Sequence, residues 1–243
     1  YKYCLIYNDN MFLRKVFLIS IFVTILLKPM YIQAAQITGS GCSVSHVGYM
    51  SAIAQEYERR TGVKVLTRGG GAAVGIEDLA KGRVDFATSG RKKVPLDPEG
   101  IEFIQVAWDA LVFIVHKSNP INNITLDDVR NIYEGKITNW KQLNGPDMPI
   151  KVFIAKAGKG LSGIESSLKE MVLKGKDPTV STLALGSSAI IEQLVEETPE
   201  GFAASGFSSA HKRGVKLLRI NSISPDKKNI SKGIYPLKRP LFI

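Results

Sequence analysis

Three short segments, each rich in glycine and small residues, are candidates for ligand chemistry. They are Gly39–Ser43, Gly69–Ala73 and Gly158–Ser162. Each follows a predicted strand and precedes a predicted helix, whose first turn carries unpartnered backbone N–H groups and a partial positive charge. Glycine lets the backbone approach a ligand closely, and serine adds a hydroxyl donor. Three such helix starts at one cleft would bind an oxyanion or a carboxylate, whereas each alone is an ordinary turn.

Other binding motifs are incomplete. The second segment lacks the third glycine of a dinucleotide-binding fingerprint, because Val74 stands in its place. The third segment has neither the spacing nor the Lys-Ser/Thr ending of a P-loop. The three histidines are widely spaced, which disfavours a histidine-rich metal site, so we expect no metal and no cofactor. Trp108 and Trp140 are expected in the core or in a cleft wall rather than in a ligand cage.

Cys42 and His46 allow one enzymatic alternative. They are four residues apart and could form a thiol–imidazole pair in a secreted enzyme. No third residue that would orient the imidazole is evident near them. We therefore expect that the protein is not an enzyme.

The elements that position these segments alternate along the chain. Apolar residues at helical spacing predict a helix from about Ser45 to Arg60, and a capping box predicts another that begins after Thr125. Repeated strand–loop–helix units predict a parallel sheet flanked by helices. Further strands are predicted at Ile37–Thr38, Val63–Thr67, Val84–Thr88, Ile101–Val106, Ala110–Lys117, Ile150–Ala155, Gly201–Phe207 and Val215–Ile220, and further helices around Ile76, after Gly160 and at Ser188–Glu197. The tail from Pro225 is expected to be turn-rich.

The segment before Ala35 has the layout of a secretory signal peptide. Arg14 and Lys15 precede a mostly apolar run of 12 residues, Val16–Leu27, and small residues follow at positions 34 and 35. A bilayer span needs about 20 apolar residues, so a cleaved signal is favoured over an anchor. We expect translation to begin at Met11, residues 1–35 to be leader and signal peptide, and the mature protein to be periplasmic or secreted.

Composition excludes several classes of protein. The chain has 243 residues, 44% of them apolar and 22% charged, which does not fit a disordered or polytopic membrane protein. The formal charge is +10, and +7 for residues 36–243, which suits an anionic ligand. The basic residues are scattered, so we expect no nucleic acid as partner.

The sequence also resembles a family, the phosphate-type periplasmic substrate-binding proteins of ABC transporters. The most specific likeness is Ile132–Trp140, which reads IYEGKITNW. The matching stretches, in the family's order, are Ile37–Gly41, Gly69–Gly71 with Gly75–Ile76, Gly82–Ala87, Ile132–Trp140 and Gly233–Leu241.

The resemblance implies a type II periplasmic-binding fold, in which two α/β lobes are joined by two hinge strands and the ligand lies in the cleft between them. Lobe one would comprise 36–114 and 203–243, lobe two 115–202, and the hinge Ala110–Lys117 and Gly201–Phe207. It also implies capture of a small oxyanion, phosphate above all, by a monomer that delivers it to a transporter permease. Together with the three segments, it gives as candidate ligand-binding residues Ser40, Gly41, Cys42, Ser43, Gly70, Gly71, Ala72, Arg91, Lys159, Gly160 and Ser162.

The chain departs from the family at several ligand positions. Ala72 replaces a hydroxyl residue, Gly90 stands where an aspartate often accepts a hydrogen bond from protonated phosphate, and Leu161 replaces a threonine. Ala155 replaces an arginine, which leaves Arg91 as the expected bidentate anion contact. These changes keep one alternative open: a ligand-sensing or vestigial module of the same fold that has lost tight phosphate binding.

Overall fold

The structure, a computed structural model, describes residues 35–156, 162–180 and 183–243. Within these ranges no helix has the length and apolar character that crossing a membrane requires. The strands are β1 Gln36–Gly41, β2 Lys64–Gly69, β3 Phe86–Thr88, β4 Gln105–His116, β5 Asn123–Ile124, β6 Lys151–Ala155, β7 Leu183–Leu185, β8 Gly201–Gly206, β9 Val215–Leu217, β10 Arg219–Ile220 and β11 Lys238–Phe242.

Helix α1 combines an α-helical turn Ser43–Ser45, a π-helical segment His46–Met50 and an α-helix Ser51–Thr61. It begins two residues earlier than predicted and ends at Gly62, which has the left-handed φ of 73° typical of a C-terminal glycine. The other helices are α2 Ala72–Ala80, α3 Leu126–Tyr133, a 3₁₀ helix Trp140–Leu143, α4 Gly163–Met171, α5 Ser188–Glu197, α6 Phe207–Ala210 and α7 Lys227–Ser231.

A first sheet contains the parallel strands β2, β1 and β3, with β1 in the middle. It continues through Ser89, which exchanges two backbone hydrogen bonds of 2.9 and 2.8 Å with Phe242 of β11. Strand β11 then pairs antiparallel with the first half of β4. The tail that we expected to be turn-rich therefore forms helix α7 and completes this sheet.

A second sheet is built on the other half of β4. Residues Leu111–Val115 pair antiparallel with β8, which pairs parallel with β6, and β6 pairs parallel with β7. Strand β9 also pairs with β4. We predicted two strands, 101–106 and 110–117. Residues 101–104 are not in a strand, and one unbroken strand covers 105–116: it pairs with β11 along its first half and with β8 and β9 along its second. Residues 110–115 are buried on both faces of this strand.

Aromatic side chains pack the core beside the second sheet. The ring of Phe202 stacks on that of Phe113 at a centroid distance of 5.8 Å and meets Trp140 edge-on at 6.0 Å. The core position expected for Trp140 is confirmed. Trp108 is not in the core: its side chain is 55% exposed, lines a surface pocket together with Phe207, and has the Lys238 ammonium 4.5 Å from its ring centroid.

Candidate anion-binding site

The first predicted segment joins β1 to α1 through a glycine that no other residue could easily replace. Gly41 has a φ of 142°, and a Cβ there would lie 2.2 Å from the carbonyl oxygen of Thr88. The next backbone N–H, that of Cys42, donates to the carbonyl oxygen and to Oγ1 of Thr88, both at 2.9 Å. The junction is thereby fixed, and Ser43 begins the helix.

The second segment is tied to the first. The N–H groups of Gly70 and Gly71 both donate to the carbonyl oxygen of Gly41, at 2.9 and 2.8 Å. Gly71 precedes α2 with a φ of 100°, which again favours glycine. A Cβ on Gly69 would contact Ser43 at 3.0 Å, so the starts of α1 and α2 are neighbours.

A third helix start, which the sequence analysis did not identify, joins these two. Ser187 precedes α5, and its hydroxyl donates to Oγ of Ser43 at 3.1 Å. The carbonyl oxygen of Gly186 lies 3.6 Å from the Cβ position of Gly71. The only available signal was Gly186-Ser187 before a predicted helix; the three-residue strand β7 ahead of it is too short to recognise from periodicity.

The three helix starts share one further property. Neither α1, α2 nor α5 has a side chain that accepts a hydrogen bond from its first turn. Their first N–H groups and positive dipole ends meet where Ser43, Gly71 and Ser187 lie together. This arrangement favours a negatively charged ligand.

Ser162 lies outside this pattern. Its hydroxyl donates to the carbonyl oxygen of Ala155 at 2.9 Å and accepts from the N–H of Glu165 at 3.0 Å, in a capping box that starts α4. The expected hydroxyl donor to the ligand is thus used within the protein. Lys159 and Gly160, predicted in the same loop, lie outside the described residues.

Ser40 is buried at the end of β1. Its hydroxyl makes no hydrogen bond among the described residues, so its predicted contact with the ligand stays a prediction. Asp78 of α2 lies nearby. Burial alone would raise the pKa of Asp78, but the neighbouring hydroxyl and the guanidinium groups of Arg68 and Arg83, at 2.5 and 3.5 Å, lower it below its ordinary value.

Arg91 is also buried, and its guanidinium group already donates to other groups of the protein. Its two terminal nitrogens donate to the two carboxylate oxygens of Asp97, each at 2.7 Å, and one of them also donates to the carbonyl oxygen of Lys92 at 2.9 Å. Burial of Asp97 opposes its charge, yet the hydrogen bonds from Arg91 hold the pKa of the carboxyl below its usual range. The expected bidentate contact to an anion is corrected to a bidentate contact to Asp97.

The thiol–imidazole pair is not formed. Cys42 is buried, and Nδ1 of His46 lies 3.0 Å from Oγ1 of Thr67. Among the described residues no group of three or more histidine, cysteine, aspartate or glutamate side chains is arranged to hold a metal ion.

Gly90 lies two residues after β3, where a side chain would meet the guanidinium of Arg239. A Cβ on Gly90 would lie 2.8 Å from Nη1 of Arg239. That guanidinium is buried, donates to Asp109 at 2.9 and 3.3 Å, and donates to the carbonyl oxygen of Gly90 at 3.2 Å. A Cβ on Gly163 of α4 would in turn lie 2.9 Å from Gly90. No sequence pattern predicts the ion pair between Asp109 and Arg239.

Comparison with known proteins agrees with the fold. Residues 33–243 match the PBP superfamily domain. Protein SphX of Synechococcus elongatus is 30% identical in an alignment of 233 residues that covers 87% of this chain and 68% of SphX. The phosphate-binding protein PstS of Bacillus subtilis is 25% identical over 207 residues, 84% of this chain and 68% of PstS.

Among solved structures, a phosphate ABC transporter substrate-binding protein of Clostridium perfringens with bound phosphate superimposes with a TM-score of 0.73. It is 26% identical, and the match covers 85% of this chain and 84% of that one. The family expected from the sequence is confirmed, and with it the two-lobed α/β fold. The chain belongs to the PBP superfamily.

Proposed function

We propose that the protein is an exported solute-binding protein that captures phosphate, or an oxyanion like it, for uptake by an ABC transporter. The observation that carries this proposal is the meeting of three uncapped helix starts at Ser43, Gly71 and Ser187. A matched relative is named as a phosphate-binding protein, and a matched structure holds phosphate.

The ligand is bound without a covalent step. Backbone N–H groups at the starts of α1, α2 and α5 supply most of the hydrogen bonds, with the hydroxyls of Ser43 and Ser187 beside them. Lys159 and Gly160 contribute from the loop before α4, where an ammonium adds one compact charge. The side chains of Cys42 and Ala72 are buried. Ala72 contributes its backbone N–H, whereas the N–H of Cys42 donates to Thr88 and only positions the start of α1.

Closure of two lobes retains the ligand. We assign 36–114 with 203–243 to lobe one and 115–202 to lobe two, and we place the hinge in β4 and β8. The antiparallel pairing of Leu111–Val115 with β8 supports this assignment, because two adjacent extended strands can bend without unfolding either lobe. The protein acts as a periplasmic or secreted monomer after signal cleavage, and its partner is a transporter permease.

Selectivity follows from the position of Gly90. The Arg239–Asp109 pair fills the space where a carboxylate would otherwise accept a hydrogen bond from protonated phosphate. We expect weak discrimination between phosphate and fully ionised tetrahedral anions such as sulfate.

Isothermal titration calorimetry with phosphate, sulfate and small carboxylates tests the proposal. We expect binding of phosphate and sulfate with similar affinities and no binding of monocarboxylates. Absence of binding by every oxyanion would overturn capture and favour the second candidate, a sensing or vestigial module of the same fold. The engagement of Arg91 by Asp97 is the observation that favours that candidate.

A further inference from the structure

A buried carboxyl group lies in the middle of α5 and takes no part in the site described above. Glu192 is 0% exposed. A carboxyl group without water needs polar partners, because desolvation penalises its charge. The partners of Glu192 therefore show which elements of the protein this carboxyl group connects.

The partners of Glu192 come from the elements that follow α5 in the chain. Its Oε1 accepts hydrogen bonds from the hydroxyls of Ser205, on β8, and Ser209, on α6. Its Oε2 lies 3.5 Å from Nε of Arg213, whose Nη2 donates to the carbonyl oxygen of Ala189 at 3.4 Å. One side chain thus connects α5 to β8, to α6 and to the segment after α6.

The other end of the same helix lies at the anion site. Ser187, which precedes α5, donates to Ser43. Glu192 lies about one and a half helical turns further along, roughly 7 Å at the rise of an α-helix. No side chain caps the start of α5, so its position depends on contacts along the helix.

We propose that Glu192 is a positioning residue: through Ser205, Ser209 and Arg213 it holds α5 so that the start of the helix reaches the anion site. The inference rests on the proposed function, because it assigns the start of α5 to ligand binding.

The ionisation of Glu192 agrees with a tightly held group. Burial raises the pKa of its carboxyl above the ordinary value, and the hydroxyls of Ser205 and Ser209 and the charge of Arg213 offset part of that rise. The contacts from β8 and α6 are hydroxyls, and the segment after α6 supplies Arg213. Glu196, one turn further along α5, accepts from the N–H of Gly214 at 3.0 Å.

Two substitutions separate positioning from general stability. Glu192→Ala removes the acceptor, whereas Glu192→Gln keeps an oxygen that accepts from both serine hydroxyls. At a temperature where all variants are folded, we expect Glu192→Ala to weaken binding of inorganic phosphate about tenfold and Glu192→Gln to restore affinity to within about threefold of wild type. Glu196→Gln is the matched control on the same helix, and its affinity should equal that of wild type.

Hydrogen exchange of the ligand-free protein gives a readout that does not need phosphate. The first hydrogen-bonded N–H group of α5 is that of Ile191, which donates to the carbonyl oxygen of Ser187 at 3.2 Å. We expect faster exchange at the N–H groups of 191–194 in Glu192→Ala and no change there in Glu196→Gln. If Glu192→Ala does not fold, the double variant Ser205→Ala/Ser209→Ala removes the donors instead and should show the same two effects.

The outcomes are distinct. A folded Glu192→Ala variant, or the double variant, with wild-type phosphate affinity and wild-type exchange at 191–194 would overturn the positioning role. A wild-type protein that binds no phosphate would overturn the proposed function, while the exchange measurement would still decide whether Glu192 holds α5.

Discussion

The helix starts at the candidate site have no side-chain cap, whereas those elsewhere in the molecule have a side chain that accepts a hydrogen bond from their first turn. Away from the site, α3 and the 3₁₀ helix begin with capping boxes at Thr125 and Asn139, and Asp226 caps α7. Helix α6 follows Gly206, which has no side chain to cap it, but Asp109 accepts from the Ser208 N–H of its first turn at 2.9 Å. At the site, α1, α2 and α5 have no side-chain cap. A cap satisfies the first N–H groups permanently, whereas an uncapped start keeps them available to a ligand.

The uncapped helices are instead held along their length. Lys212 donates to the carbonyl oxygens of Val47 and Gly48 in the π-helical segment of α1, at 2.9 and 2.6 Å. Asp78 holds α2 through Arg68 and Arg83, and Glu192 holds α5. The difference teaches that stability and ligand binding use separate parts of these helices, and the predictions below test that separation.

The largest effect that we expect concerns the stability of an Arg91 variant, because Arg91 pairs with Asp97 inside the protein. Arg91→Ala leaves the carboxylate of Asp97 buried without its partner, which costs about 3–5 kcal/mol of unfolding free energy. Urea denaturation measures this loss, and phosphate titration of the folded variant should show nearly unchanged affinity. A stable variant with strongly weakened binding would instead place Arg91 in the site.

The next effect is on affinity. Ser187→Asp puts a carboxylate at the uncapped start of α5, where it takes the place of the anion. We expect phosphate affinity to fall about a hundredfold while the melting temperature of the ligand-free protein rises. Thr125→Asp, at a helix start that is already capped, is the matched control and should bind phosphate like wild type. Equal affinities of the two variants would contradict the comparison.

A smaller effect is expected at a capped start. Thr125→Ala removes the hydroxyl that accepts from the N–H of Asp128 at 3.0 Å and should cost about 1 kcal/mol of stability. Chemical denaturation measures that change, and calorimetry should find no change in phosphate affinity. Loss of affinity here would show that caps and ligand site are coupled.

The smallest effect is a pH dependence. Because the folded protein lowers the pKa of Asp78, the stability that its carboxylate contributes is present above the ordinary pKa of about 4 and is lost as pH falls through the lowered value. Unfolding free energies measured from pH 6 to about pH 2 should decline in wild type and decline less in Asp78→Asn. The same slope in both proteins would mean that Asp78 does not hold α2.

Sequence patterns predicted the elements whose signals are local. The helix Ser188–Glu197 and the capping box at Thr125 are confirmed, because periodicity and cap residues lie within a few positions of each other. The two glycine segments before α1 and α2 were found for the same reason. The bounds of β4 were missed: 101–104 are not in a strand, and 107–109 are, because only pairing with β11 extends the strand over those residues.

Side-chain roles at the site were less predictable. Arg91 and Ser162 have the right chemistry for an anion, but Asp97 and Ala155 contact them first. Such competition depends on the exact course of the backbone, because those partners are only 6 and 7 positions away in the chain and spacing alone does not show that they meet. Ser187 was missed because its contact with Ser43 spans 144 positions.

The passage of β4 through both sheets has a consequence for the order of folding. Strands β4, β6, β7, β8 and β9 all lie between Gln105 and Leu217, so the second sheet can assemble from one continuous stretch of chain. The first sheet needs β11, and its contact between Arg239 and Gly90 spans 149 positions. Closing so long a loop is slow, because its entropy is lost before the contact forms. The start of α5 lies within the stretch that assembles first, whereas the starts of α1 and α2 are expected to reach their final positions last, when the end of the chain docks.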